Sequence, residues 1–450
     1  MNADELVGAL LALSSTDQVC ILDSCGVGHL GSHLLIAGIN PVESIELSYP
    51  NADETLALLD ERLHQNLASI FTLSYEFGAK IQKIPIDYAT PNEPDVFLTK
   101  FDVLIVHDYD ARTSFLVGDT AKFDQISEKL RENISDLKFE FSDQNPITSS
   151  NFTKSDYLET VTSIQELIRC GDTYQTNLTQ KITAKLPPDR TPSSVFARLR
   201  RDHPAPFGAF IQRNDSAVIS ASPERFFSVR TATSPRVSKG ESQTTVQTIE
   251  RITTSPIKGT RKRGKTSKED DSLRNELLTS EKDRAENTMI VDLLRNDLGR
   301  ICKYGSVVVE KLCEIEEHPS LFHLVSTVAG NLRAGIKFSD ILRALFPCGS
   351  ITGAPKISTM KIIDEIEPSS RGLSMGAIGY HIPTGFELEP TIDLSVAIRT
   401  MVIRNQTATF NVGGGIVIDS DPESEYEETL TKAKALLAAI GTNESQHHLR

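Results

Sequence analysis

Along most of the chain, apolar positions recur at one of two periods, and the period assigns the element. Residues 18–24 and 33–39 are compact β-like runs joined by a glycine-rich stretch, 26–32, and read as a hairpin. Residues 53–67 and 122–137 carry the helical period. Residues 97–108 form one apolar strand run, with 111–117 as its partner. Tyr157, Val161, Ile164 and Ile168 fall on one face of a helix over 155–169, with Gly171 as its stop. Residues 174–186 alternate as a strand, 192–202 make a short helix, and 208–212 with 217–222 a second hairpin. Residues 268–298 are helical and broken near Thr279-Ser280, where Ser280 followed by Asp283 resembles a capping box with Asp in place of Glu. A helix over 339–346 leads into a loop, 347–356, whose Pro355 fits the first turn of a helix ending near Ile366. Strands follow at 377–381, 391–404 and 408–412, then a last helix, 422–440, with Asp421 as N-cap. Strands cluster and pair locally instead of alternating with helices, which predicts an α+β fold.

The polar stretch 143–150, with Pro146, puts a composition boundary near residue 145. It separates an N-terminal region, 1–145, from a second region, 146–441, and a polar tail, 442–450. Residues 231–254 are rich in Ser and Thr and read as an exposed insertion, in form a long hairpin, without chemistry of its own. At 450 residues and 39% apolar content the chain can build a substantial core. Its net charge of −14 argues against nucleic acid or an anionic membrane as a general partner and still permits a local basic pocket for an anion. The six cysteines include no C-x-x-C pair and read as reduced thiols. The start is acidic where a signal peptide is basic, and the apolar run 6–13 is too short to span a bilayer, so the expected location is cytoplasmic.

Gly26-x-Gly28-x-x-Gly31 matches a dinucleotide fingerprint, but no helix follows it, and a hairpin turn is the better reading. Asp283 and Glu286 share one helix face, as do Glu425, Glu428 and Lys432. Taken singly, each is a solvated acidic face, the second with a Glu428–Lys432 ion pair. Together the two faces could converge on one hard cation such as Mg²⁺, which takes one or two carboxylates plus water and substrate oxygens. Arg399 ends an apolar strand and is the preferred fork for a carboxylate; Tyr380 on the preceding strand could add a hydroxyl. Thr352 and Gly353 precede a helix, where backbone N–H groups attract anions. Gly414 and Gly415 permit close backbone approach. Glu224 follows Pro223 at a strand end, and burial there would raise its pKa and suit a general acid. His323 has apolar neighbours, where a satisfied core histidine is the commoner case. Lys258 lies in a Pro/Gly-bounded turn, Pro256-Ile257-Lys258-Gly259-Thr260, before a basic run (Arg261, Lys262, Arg263, Lys265, Lys268) that reads as a solvated face.

These motifs assemble into a resemblance. Ser222-Pro223-Glu224-Arg225-Phe226, the Lys258 turn, EKDRAENTMIVDLLRNDLGR at 281–300, His323-Leu324-Val325-Ser326, FPCGSITGAPK at 346–356, and the stretches 376–380, 397–400 and 413–434 are similar to the chorismate-utilising enzymes. That family includes anthranilate synthase component I, aminodeoxychorismate synthase component I, isochorismate synthase and salicylate synthase. The match spans about residues 150–440; residues 1–145 follow the family's N-terminal region loosely, interleaved with the catalytic fold. The resemblance implies packed antiparallel sheets flanked by helices, with chorismate as substrate and Mg²⁺ as cofactor. It implies Glu286 and Glu428 as direct metal ligands and Asp283 and Glu425 as their water-mediated partners. Gly414, Gly415 and Lys432 would help hold the ring carboxylate, Arg399 and Tyr380 the enolpyruvyl carboxylate. Glu224 would protonate the departing C4 hydroxyl, while Thr352 and His323 line the ring and Gly353 belongs to the same substrate-binding set. Members that add water carry a lysine base where this chain has Gln175, which disfavours hydration. Anthranilate synthases have alanine in the turn; lysine is the aminodeoxychorismate synthase form, with Lys258 as nucleophile. That role needs a neutral amine, which the Arg261–Arg263 charge and partial burial would favour. No Gly-x-Cys-x-Gly elbow is present, so the implied nitrogen source is free ammonia or a partner glutamine amidotransferase subunit. Anthranilate synthase component I and a non-catalytic regulatory subunit remain as alternatives.

Overall fold

The computed structural model describes residues 1–28, 33–85, 93–135, 141–236, 245–317 and 321–442. Two large sheets, of eleven and ten strands among these residues, stack face to face, and every described pairing is antiparallel. The strands sort their apolar residues by period. Cys20, Ile36, Val106, Ala209 and Ile211 of the first sheet meet Ile70, Phe97 and Ile378 of the second in a layer between the sheets. Their alternates Val19, Ile21, Leu35, Ile105 and Phe210 face outward onto the helices Ala3–Leu13, Pro192–Asp202 and Pro422–Ile440. The outer face of the second sheet is covered in the same way, by Ala52–Leu63, Glu281–Gly299 and Phe338–Leu345. The result is a helix–sheet–sheet–helix sandwich, an α+β fold, and strands buried on both faces explain the continuous apolar runs.

Each sheet mixes strands from both sides of residue 145. Val19–Asp23 pairs with Phe207–Gln212 in the first, and Ala68–Leu73 pairs with Ala377–His381 in the second. The glycine fingerprint lies in a hairpin between Val19–Asp23 and Leu34–Ile39, although residues 29–32 fall outside the described set.

The structure corrects several boundaries. The run 97–108 is two strands, Val96–Phe101 and Val103–Asp108, which turn at Asp102 and enter different sheets. The run 391–404 likewise divides into Ile392–Val396 and Thr400–Arg404, one in each sheet, and the joint places Arg399 at φ 48°. The Lys258 turn is a strand, Ile257–Lys262, paired with Leu321–Asn331. Part of the supposed exposed insertion is sheet interior: Thr245–Ser255 pairs on one side with Arg225–Arg236 and on the other with residues 328–331, and Ile252 is fully buried. Residues 237–244 lie outside the described set, as do 443–450 of the tail. The predicted helix over 122–137 ends at Glu132, and Pro355 is an N-cap instead of a first-turn residue. The helix broken near residue 279 is observed as Ser267–Thr279 and Glu281–Gly299, with the Ser280 hydroxyl accepting from the Asp283 N–H.

Candidate active site

Lys258 is aimed by a local irregularity. Its strand pairs with Leu321–Asn331, but the register slips between Lys258 and Thr260. Gly259 sits in the slip at φ +76°, and a Cβ there would lie 2.8 Å from Asp283 Cγ and from Leu277 Cδ1. Only glycine takes both that backbone and that contact without strain. The Lys258 ammonium extends to 3.4 Å from the Ser350 carbonyl, in the short 3₁₀ turn Gly349–Ile351. The neighbouring cations are already engaged. Arg261 is held by Glu276 at 2.7 Å and by Asp283 at 3.3 Å, and Arg263 by Asp270. Arg261 and Arg263 thus each have acidic partners of their own, while the charge of Lys258 acts on Glu224, Glu286 and Glu428.

Glu224 is 5% exposed, in the corner between Ser216–Ser222 and Arg225–Arg236. Burial raises its pKa, opposed by hydrogen bonding from the Ser350 side chain and by the charge of Lys258. Its Oε1 has no hydrogen-bond partner among the described residues. Glu286 projects from Glu281–Gly299, and Glu425 and Glu428 from Pro422–Ile440, so the two acidic helix faces meet. Burial raises the Glu286 pKa, which Lys258 and Lys282 offset and Asp283 and Glu425 increase. Burial also raises that of Glu425, against a 2.7 Å hydrogen bond from the Ser420 hydroxyl and with repulsion from Glu428. For Glu428, partial burial pushes up, but the 2.7 Å ion pair with Lys432 outweighs it and holds the carboxyl low. Sequence reasoning missed Lys282, whose amine lies 3.8 Å from Glu425 and offsets charge on both helices; its place one residue before Asp283 was the available signal.

The floor is built by strands that approach through glycine. A Cβ on Gly414 would stand 3.0 Å from Glu425 Oε2 and 3.6 Å from Glu428 Oε1. One on Gly415 would overlap the Gln175 amide, and one on Gly353 the Gln175 carbonyl oxygen. Gln175 is thus wedged between two glycine strands, with its side-chain Oε1 unpartnered among the described residues. The Lys432 amine donates to the Gly413 carbonyl at 2.8 Å. Thr352 is fully buried, with its hydroxyl donating to Cys348 O and its own carbonyl accepting from the Asn177 N–H. His323 lies opposite Thr260 in the sheet, and its Nδ1 is 2.9 Å from the Thr260 hydroxyl. Arg399 occupies the joint where the chain crosses between sheets. Burial lowers its pKa, and no ion pair holds its guanidinium among the described residues. Arg399 is half-buried, and a guanidinium so placed has the geometry to pair with a carboxylate.

Tyr380 lies on the strand Ala377–His381. It pairs with Asp393, six residues before Arg399 on the other strand, and packs into the layer between the sheets. There it lines a cavity with Asp23, Ser24, Phe207, Gly208 and Asp393. The physical reason is strand alternation: Tyr380 shares its face with Ile378, which is a core residue.

Residues 32–438 match the family model of the chorismate binding enzymes. The chain belongs to the chorismate binding enzyme family. It is 34% identical over 392 residues to aminodeoxychorismate synthase component 1 of Bacillus subtilis, covering 84% of this chain and 78% of that one. It is 36% identical over 362 residues to anthranilate synthase component 1 of Aquifex aeolicus, covering 77% and 68%. Among solved structures, anthranilate synthase component I from Streptococcus pneumoniae superposes with a TM-score of 0.74 at 29% identity, over 91% of this chain and 93% of that one. Within this family member, the two carboxylate faces have the chemistry of a hard-cation site: oxygen donors only, with mutual repulsion raising Glu286 and Glu425. Among the described residues, no group of three or more His, Cys, Asp or Glu side chains is arranged to hold a metal ion. No helix among the described residues is long and apolar enough to cross a membrane.

Proposed function

We propose that this family member is an aminodeoxychorismate synthase component I, making 4-amino-4-deoxychorismate from chorismate and ammonia on the route to 4-aminobenzoate and folate. The observation that carries the reading is Lys258, held in register with Leu324 beside the bulge at Gly259, 3.4 Å from the Ser350 carbonyl and with its charge acting on Glu224. The Lys258 nitrogen attacks ring C2, the two conjugated double bonds shift around the ring (C1=C2 to C1=C6, C5=C6 to C4=C5), and the C4–O bond breaks as Glu224 delivers its proton, releasing water. Ammonia then attacks C4, both double bonds return to C1=C2 and C5=C6, the C2–N bond to Lys258 breaks, and a proton from the new ammonium group restores Glu224. Arg399 holds the enolpyruvyl carboxylate, while Lys432 and the backbone at Gly414 and Gly415 flank the ring carboxylate. Glu286 and Glu428, with Asp283 and Glu425 behind them, would hold Mg²⁺, which supplies charge neutralisation for that carboxylate. The ammonia comes from a partner glutamine amidotransferase subunit or from solution, in the cytoplasm. Gln175 carries no basic group to activate water, which supports amination over hydration.

The test is intact mass of the protein incubated with chorismate and Mg²⁺ but no ammonium. A covalent adduct should appear and be lost in Lys258→Ala. With ammonium the product should be 4-amino-4-deoxychorismate. Release of anthranilate and pyruvate would instead assign the protein to anthranilate synthesis, the activity named for the Aquifex relative. Absence of any turnover would revive a non-catalytic role.

A further inference from the structure

The strand Gln175–Lys185 carries Gln175 into the site, and its two edges are treated differently. One edge is paired without interruption, Thr176 through Lys185, with Thr407–Ile416. Among the described residues, the other has strand partners only at its ends: Gly353–Ala354 against residues 175–176, and Ile147–Ser150 against residues 182–185. Between them, the edge groups of residues 177–181 need partners from elsewhere. Two buried side chains supply several. Arg371 donates from Nη2 to the Asn177 carbonyl at 2.6 Å, and Glu367 accepts the Thr179 N–H at 2.7 Å and the Thr179 hydroxyl at 3.0 Å. The two are also joined to each other, Arg371 Nε to Glu367 Oε2 at 2.9 Å and Nη2 to Oε1 at 2.7 Å. Their side chains are 1% and 3% exposed. The remaining arm of Arg371, Nη1, donates to the Ile351 carbonyl at 2.9 Å. Ile351 follows Ser350, the residue whose carbonyl meets Lys258, and precedes Thr352, whose carbonyl accepts from the Asn177 N–H.

We propose that Glu367 and Arg371 form a positioning pair that stands in for a missing strand and fixes the strand bearing Gln175 and the Ser350 turn relative to each other. Neither residue reaches the reacting atoms. The guanidinium face rests on the Tyr75 ring, 4.5 Å away, and Glu76 anchors the backbone of the pair by accepting the Arg371 N–H at 2.6 Å and the Gly372 N–H at 3.0 Å. Lysine at 371 would keep the charge and lose the planar fork that serves Glu367, Asn177 and Ile351 together. The inference rests on the reading of the Lys258 site as a chorismate site.

The experiment measures chorismate consumption by Arg371→Lys and Glu367→Gln, per folded molecule by circular dichroism, below the melting temperature of each variant. Expected is a kcat about 10- to 100-fold lower with KM for chorismate within about threefold, and an Arg371→Lys/Gln175→Ala double variant whose kcat loss is smaller than the product of the single losses while the Tm losses add. Unchanged kcat per folded molecule, or independent effects on kcat, would overturn the proposal and leave the pair merely structural. Should Arg371→Lys fail to fold, Glu367→Gln still decides, because its amide oxygen can accept from the Thr179 N–H and Arg371 Nη2 while the NH2 group in place of Oε2 can no longer accept from Arg371 Nε. Because the readout is substrate loss, anthranilate as the wild-type product would sink the assignment of Lys258 without touching this test.

Discussion

At Glu224, burial and neighbours pull in opposite directions. Burial raises its pKa above the usual 4.5, and the Ser350 hydrogen bond and Lys258 draw it back, with the net shift upward. A carboxylic acid that keeps its proton further toward neutrality can donate it to a leaving hydroxyl. The wild-type kcat should therefore fall as pH rises through the folded-state pKa of Glu224. Glu224→Gln should lose about 10²- to 10⁴-fold in kcat and show no such alkaline limb in its residual rate. The stability sign is separate. A carboxyl whose folded pKa is raised contributes stability that is present below its unfolded pKa and is lost as pH rises through the folded one. Melting curves at pH 8 should accordingly show the glutamine variant at least as stable as wild type. A retained alkaline limb in the variant would assign the proton to another group. Helical spacing put Asp283 with Glu286, and Glu425 with Glu428, on single helix faces, and the structure brings the two faces together; by residue type alone Glu224 and Lys258 read as surface groups, and only the resemblance singled them out. The setting of Tyr380 in the fold was not legible: a strand residue one position either way changes faces, and only the three-dimensional register places Tyr380 in the layer between the sheets.

At the scale of elements, helices were easier to read than strands. Caps such as Ser280 and Asp421 mark helix starts with their own hydrogen bonds, and both were placed correctly. Strands buried on both faces leave no alternation, so nothing in the run 97–108 announces the corner at Asp102 that sends its halves into different sheets. Pro256 and Gly259 carry turn chemistry, yet Pro256 can open a strand and Gly259 can serve a bulge. That bulge is the element that aims the lysine. Gly259→Ala would force an alanine to φ +76° with its methyl 2.8 Å from Asp283 and Leu277. The left-handed backbone alone costs about 1–2 kcal/mol. The expected outcome is a Tm lower by several degrees and a kcat lower by at least about tenfold, since relief of the clash moves Asp283 or Lys258. Steady-state kinetics beside calorimetry checks this. Wild-type kcat in the variant would mean that the register slip does not aim the nucleophile.

At the scale of the whole molecule, the composition boundary near residue 145 separates stretches of chain that the fold does not keep apart. Every residue assigned to the site lies between Gln175 and Lys432, so the sequence alone invites the idea of a self-sufficient catalytic half. Yet Phe207–Gln212 uses Val19–Asp23 as its sheet neighbour, Ala377–His381 uses Ala68–Leu73, and the layer between the sheets draws Cys20, Ile36, Ile70, Phe97 and Val106 from the first 145 residues. Glu76 reaches further, holding the backbone of Arg371 and Gly372 behind the catalytic strand. Removal of residues 1–145 would leave two internal strands as open edges and expose one side of a buried apolar layer, a combination that favours aggregation over folding. Expressed alone, residues 146–450 should therefore be insoluble or bind a hydrophobic dye without a cooperative melt. Co-expressed as a separate chain, residues 1–145 should restore both the melt and chorismate turnover. A soluble, cooperatively melting 146–450 fragment that consumes chorismate unaided would show that the interleaved strands are accessory, and that the active site depends only on the sheet ends that carry it.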